Sequence, residues 1–221
     1  GMVGAGKVGG TLARLWHAAG YDAVAIYSRT TAQAEQLAGF VDGQVVASPS
    51  AVVAQADLTV LSVPDDVIQV VAEAIQLQNA AGKAVIHTSG AHSIDVLASL
   101  AEQGVQVGSL HPAFPFADVE RSMKALPGAT FAIEADTEPL RSWLYGLVSM
   151  LDGNPLVIPP GGKAAYHAAL VMLSNYTVSL YGAAARLLAG LGADSDAAHG
   201  ALDTLLVATV ENIRVQGIPA A

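Results

Sequence analysis

The chain has 221 residues, 52% hydrophobic and 13% charged, which supplies a large core for one to two domains and excludes a disordered chain. A formal net charge of -9, with no basic run longer than a dipeptide, argues against a nucleic-acid partner, so local groups must hold any anionic ligand. The absence of cysteine removes disulfides, thiolate metal sites and thiol catalysis, no signal-peptide pattern opens the chain, and a cytoplasmic enzyme is the expectation.

The first elements surround Val3-Gly4-Ala5-Gly6-Lys7-Val8-Gly9, which fits G-x-G-x-x-G where a strand hands over to a helix. In that pattern Gly4 permits a tight turn, Gly6 lets the backbone approach a pyrophosphate, and Gly9 lets helix and strand pack closely. The strand before it is only Met2-Val3, which is short, so the expectation is either that residues precede Gly1 or that Gly1 is an added residue. A helix beginning near Lys7 would meet the phosphates with free N–H groups and its positive dipole end. Its stretch Gly10 to Ala19 places Leu12, Leu15 and Trp16 inward and stops at Gly20. Ala23 to Tyr27 reads as a buried parallel strand.

At the end of that strand stands Ser28-Arg29-Thr30, where an NAD site would carry Asp or Glu for the ribose 2′-hydroxyl. A guanidinium flanked by hydroxyls suits a 2′-phosphate instead, so the expected cofactor is NADP (NADPH).

Strand and helix then alternate: a helix from Thr31 to Ala38, a strand from Gln44 to Ala47, a helical turn capped by Ser48-Pro49-Ser50, and a strand from Leu58 to Val63. Pro64-Asp65 opens a helix to Ile75. The strand Ala84 to His87 ends at Thr88-Ser89-Gly90, a helix follows over Ser93 to Leu100, and the strand Val105 to Leu110 ends at His111-Pro112. This order predicts a Rossmann-type, doubly wound parallel sheet, with ligands beyond the carboxyl ends of its strands. That rule nominates Val63-Pro64, Ser89-Gly90 and His111-Pro112 as the rim facing the nicotinamide. Thr130 to Ile133 and Leu156 to Ile158, around a helix from Glu138 to Leu151, extend the sheet.

Pro159-Pro160-Gly161-Gly162 marks the domain boundary, giving a dinucleotide-binding domain over 1–159 and a helical substrate and dimerisation domain over 160–221. The second domain holds helices from Lys163 to Leu191 and from Ser195 to Arg214. Its segment Ala164 to Ala185 is long enough to span a membrane, but it carries His167, Ser174, Asn175, Thr177 and Ser179, and a buried helix is expected with no membrane partner.

At about 100° per residue, His167 lies about 40° and Ser174 about 20° from Lys163, with Asn175 about 120° away. A reductase needs a proton donor and a group to stabilise the oxyanion. Lys163, His167 and His111 are candidate donors, and Ser174 and Asn175 could hold a substrate carbonyl or carboxylate. The six histidines show no metal-site spacing, so no metal is expected.

The glycine run, Tyr27-Ser28-Arg29, Ser62-Val63-Pro64-Asp65, His87-Thr88-Ser89-Gly90-Ala91, His111-Pro112 with Phe116, Phe131 to Glu134, and Lys163 to Tyr166-His167 with Ser174-Asn175 together resemble one family. It is the bacterial Rossmann-like proteins with a C-terminal domain of unknown function 2520. The likeness spans nearly the whole chain and implies an NADP-dependent oxidoreductase related to pyrroline-5-carboxylate reductase, prephenate dehydrogenase, β-hydroxyacid dehydrogenases and ketopantoate reductase. Gly161-Gly162-Lys163 with His167 resembles the glycine-Lys-x-x-x-Asn helix of β-hydroxyacid dehydrogenases, with His167 in place of their asparagine. The family continues past Ala221 with more helix, so the second domain is expected to be incomplete.

The expected function is NADPH-dependent reduction of a small carbonyl or imine acid, ketopantoate being the named candidate, in a homodimer formed through apolar helical faces. A non-catalytic NADP-binding sensor or scaffold and a deazaflavin–NADP hydride-transfer enzyme are the alternatives.

Overall fold

Alternating side chains divide every central strand between two helical layers, and that division builds the first part of the chain. The computed structural model describes residues 1–218. Its strands are β1 (Met2–Val3), β2 (Ala25–Tyr27), β3 (Gln44–Val45), β4 (Leu58–Leu61), β5 (Ala84–His87), β6 (Gln106–Pro112), β7 (Thr130–Ala135) and β8 (Asn154–Val157). They form one eight-stranded sheet in the order β3-β2-β1-β4-β5-β6-β7-β8.

Met2, Ile26, Val60 and Ile86 face one layer, and their chain neighbours Val3, Ala25, Leu61 and Val85 face the other. The first layer contains α1 (Lys7–Ala18), α2 (Thr31–Val41), α6 (Val119–Ala125) and α7 (Glu138–Ser149); the second contains α3 (Pro49–Gln55), α4 (Ile68–Ala74) and α5 (Ala98–Ala101). Leu12, Ile26, Ile86, Leu110 and Phe131 are fully buried, each contributing about 1.5–3 kcal/mol of transfer free energy. The Trp16 indole N–H donates to the Leu147 carbonyl at 3.2 Å, tying α1 to α7 through a buried polar tip.

The sheet is parallel except at one seam. β7 runs antiparallel to β6, pairing Ser109 with Glu134 and Pro112 with Phe131, because the chain that leaves β6 returns at the same edge instead of crossing over. The doubly wound parallel sheet expected from the sequence is present, with this pairing as its one antiparallel seam. β6 itself includes His111 and Pro112, which do not form a loop after it. Pro155 fits in β8, an edge strand with one side free of ladder bonds. The helices expected from Asp65 and from Ser93 begin as 3-10 turns, over Asp65–Val67 and Ile94–Leu97.

Contacts divide the chain into two compact units, residues 1–167 and 168–221. The division falls inside α8 (Lys163–Val171), whose first turn is held to the first unit by Lys163, bonded to the Ser89 carbonyl, and by Tyr166, bonded to His111.

The second unit is helical. After α8, a π-helical turn over Met172–Tyr176 leads to α9 (Thr177–Gly190), and α10 (Ser195–Gln216) follows. Lys163–Gly190 is one 28-residue helix, long and apolar enough to cross a membrane. None of its most apolar window is buried, so the buried helix expected from the sequence is not found within the single chain. The last residues of the expected second domain, Pro219 to Ala221, lie outside the described residues.

Candidate active site

The chemistry-bearing residues gather at the carboxyl edge of the central strands, where the glycine turn also sits. Gly4 follows β1 with φ at +98°, and its N–H donates to the Tyr27 carbonyl at 2.7 Å. A Cβ on Gly4 would stand 2.2 Å from the Ser62 carbonyl oxygen, and one on Gly9 would stand 2.3 Å from that of Gly4. Both positions therefore demand glycine, the first for conformation and space, the second for space alone.

Gly6 differs. A Cβ there would meet nothing within 4 Å, so the open side of the turn lies over it. Gly6 is the N-cap of α1, no side chain caps that end, and no acid lies in the first turn. The free N–H groups and dipole are left for an anion. The turn sits between β1 and β4, where strand order reverses. Ser28 and the exposed Arg29 and Thr30 follow β2 on this edge, with Thr30 the N-cap of α2. Val63, half-buried, and exposed Pro64 follow β4.

The loop after β5 is held by buried polar groups. The Ser89 N–H donates to His87 Nδ1 at 3.2 Å, which leaves His87 Nε2 to donate to the Ser93 carbonyl at 3.2 Å. The Ser89 hydroxyl accepts the N–H groups of Ala91 and His92, each at 3.1 Å. His87 is 0% exposed, and burial, followed by the Lys163 charge, lowers its pKa to about 3. The neutral ring is thus a structural strut. Gly90 lies against the His111 ring, where a Cβ would approach Cε1 and Nε2 to 2.8 Å.

Lys163 and His111, two of the proton-donor candidates, are brought to this loop. The Lys163 ammonium, on a residue only 3% exposed, donates to the Ser89 carbonyl at 3.1 Å and lies 3.7 Å from Glu134 Oε2. Burial pushes the Lys163 ammonium down and the Glu134 carboxyl up, while each charge opposes the other's shift. His111 Nδ1 is hydrogen-bonded to the Tyr166 hydroxyl at 2.7 Å, with the rings edge to face. Burial, then the charge of Lys163, lowers the His111 pKa to about 4, and burial raises Tyr166 to about 12. Near neutral pH this is a hydrogen bond between an uncharged imidazole and an uncharged phenol.

His167 is half-buried in the first turns of α8. Ser174 and Asn175 belong to the second unit and are exposed on the π turn. That turn breaks the 100° spacing used to place Ser174 on the face of Lys163 and Asn175 about 120° from it. Sequence reasoning assigned no role to Glu134, Tyr166 or His87. The available signal for Glu134 was an acid inside an apolar strand, Phe131 to Ala135.

A cavity of about 340 Å³, lined by Trp16, His17, Tyr21 and Trp143 among others, opens near Gly1 and Leu58 at the opposite, amino edge of the sheet. It contains none of the groups described above.

A reversed strand order, a glycine turn at the reversal, and polar and titratable side chains along the carboxyl edge define a Rossmann-type protein. A Rossmann-like domain family model matches residues 1–112, and the domain of unknown function DUF2520 matches residues 129–221. The chain belongs to the Rossmann-like family and carries the DUF2520 domain.

Among solved structures it is similar to a Thermotoga maritima protein (25% identity, TM-score 0.76, 96% of this chain and 77% of that one). It is also similar to a Bacteroides fragilis protein provisionally assigned as an NADP oxidoreductase (24% identity, TM-score 0.74, 97% and 79%). A reductive aminase from Aspergillus terreus, in complex with NADPH and ethyl-5-oxohexanoate, shares the fold at 18% identity (TM-score 0.75, 97% and 74%). No curated protein matches the chain.

Proposed function

We propose that the chain is a cytoplasmic, homodimeric NADP-dependent reductase of a small carbonyl or imine acid, with ketopantoate as the named candidate. Residues 1–159 would hold the dinucleotide, and 160–221 would serve the substrate and the dimer contact. The observation that carries this reading is the open cradle at Gly6, on the same sheet edge as the His111, Tyr166 and Lys163 cluster. The bound NADPH and keto ester of the similar reductive aminase support it.

The cradle fits a dinucleotide: the backbone from Gly4 to Gly9 would hold the pyrophosphate, and Ser28, Arg29 and Thr30 the 2′-phosphate. Val63, Pro64, Ser89 and Gly90 would line the nicotinamide end. NADPH, when bound, supplies the hydride. Tyr166 would donate the proton to the substrate oxygen or nitrogen, and His111 would pass its Nδ1 proton to the resulting phenolate as its Nε2 takes one from water. Lys163 adds positive charge in a water-poor setting, which favours the developing oxyanion and keeps His111 neutral.

The dimer reading rests on the second unit. Leu187 and Leu191 are 74% and 84% exposed, and Leu173, Leu180, Val207 and Val210 are exposed as well. So much apolar surface is unusual on a monomer and suits a second copy.

The test is a screen of 2-oxo acids and cyclic imines that follows loss of NADPH absorbance, on a sample whose mass is read by light scattering. A dimer that oxidises NADPH with one of these acids is expected. A monomer contradicts the dimer, and no turnover with either class contradicts the substrate assignment.

A further inference from the structure

Glu134 has no part in the function proposed above, yet it is the carboxylate closest to Lys163. It lies on β7 opposite Ser109 on β6, in the one antiparallel pairing of the sheet. The Ser109 hydroxyl donates to Glu134 Oε2 at 3.3 Å, and the same oxygen is 3.7 Å from Lys163 Nζ. Glu134 is 8% exposed and Lys163 3%. A buried ammonium without a counter-ion loses its proton readily, and the Ser89 carbonyl alone offers a dipole and not a charge. The other titratable groups that interact with the pair are Asp65 in the turn after β4, His87 on β5, Asp95 beyond it and His111 on β6, with His92 acting on His87 and His167 on His111. Asp65 acts on Lys163 more weakly than Glu134 does.

We propose that Glu134 is the positioning residue for Lys163: its carboxylate, anchored by Ser109, holds the ammonium charged and directed at the Ser89 carbonyl beside His111. The seam between β6 and β7 thereby acquires a purpose, since it sets the acid beside the hydroxyl that anchors it. The inference deepens the reading of Lys163 as the charge of the site, but its test needs neither cofactor nor substrate.

The test is a carbon-13 NMR titration of the whole ligand-free chain labelled at lysine Cε and glutamate Cδ, with Lys163 assigned by its loss in Lys163→Arg. In Glu134→Gln the Lys163 midpoint is expected to fall by about one pH unit or more. Glu134→Asp should recover most of that drop, which a merely space-filling role would not require. An unchanged midpoint in a folded Glu134→Gln chain overturns the proposal. Should Glu134→Gln not fold, the unaltered chain decides: the Lys163 signal must show an inflection where Glu134 titrates, and its absence overturns the proposal equally. A chain that fails to bind NADPH leaves these midpoints untouched, so the two readings fail separately.

Discussion

Replacing Tyr166 with Phe is expected to lower kcat by about 100-fold while leaving NADPH affinity nearly unchanged. The phenol oxygen is the one atom lost, and its partner is His111 Nδ1 at 2.7 Å. Because the His111 pKa is lowered to about 4, the imidazole is uncharged at neutral pH and can return a proton to the phenolate only as its Nε2 takes one from water. Lys163, by contrast, already donates to Ser89 and faces Glu134, and its burial shields it from direct contact with substrate. Steady-state kinetics with a substrate from the screen, together with NADPH fluorescence titration, would read both quantities. An unchanged kcat in Tyr166→Phe would return the donor role to Lys163, His167 or His111.

Acid should weaken the fold through His87. Its folded pKa is lowered to about 3 against an ordinary value of 6.5, so between those limits the unfolded chain takes up the proton and the folded chain does not. Stability from the neutral ring is therefore present above pH 6.5 and is lost as pH falls toward 3. At pH 5 the loss amounts to about 2 kcal/mol. His111, lowered to about 4, acts in the same direction, while the raised carboxyl of Glu134 acts in the opposite one. His87→Gln isolates the effect, because a glutamine amide can accept from Ser89 and donate to Ser93 without titrating. Urea unfolding at pH 7 and pH 5 should show a smaller loss in the variant than in the unaltered chain. Equal losses would mean that His87 is not the titrating group.

The layered sheet was legible because its evidence is local. Runs such as Ala84 to His87 and Leu58 to Leu61 are too apolar for an edge, and Gly4 and Gly9 sit where neighbouring backbone leaves no room for a Cβ. Direction was not legible in the same way. Thr130 to Ala135 has the composition of a buried strand whichever way it runs, and only the path from Pro112 to Thr130 makes it antiparallel.

The site divides similarly. Its backbone part was written in glycines, whereas its side-chain part depends on pairs distant in sequence: Lys163 with Ser89 and Glu134, His111 with Tyr166. A lysine in the first turn of a helix is ordinarily solvated, and nothing near Lys163 in sequence signals a buried acid. Beyond Met172 the angular reckoning failed for a different reason, since a π turn does not advance by 100° per residue.

The central claim is that this chain binds NADPH for reduction, and the most direct measurement is a fluorescence titration of the unaltered chain and Arg29→Ala with NADPH and with NADH. The unaltered chain should bind NADPH at least about tenfold more tightly than NADH, and Arg29→Ala should lose that preference by weakening NADPH alone, as expected for a charge-assisted pair with a 2′-phosphate. Binding of neither nucleotide, a preference for NADH, or equal weakening of both by Arg29→Ala would contradict the account.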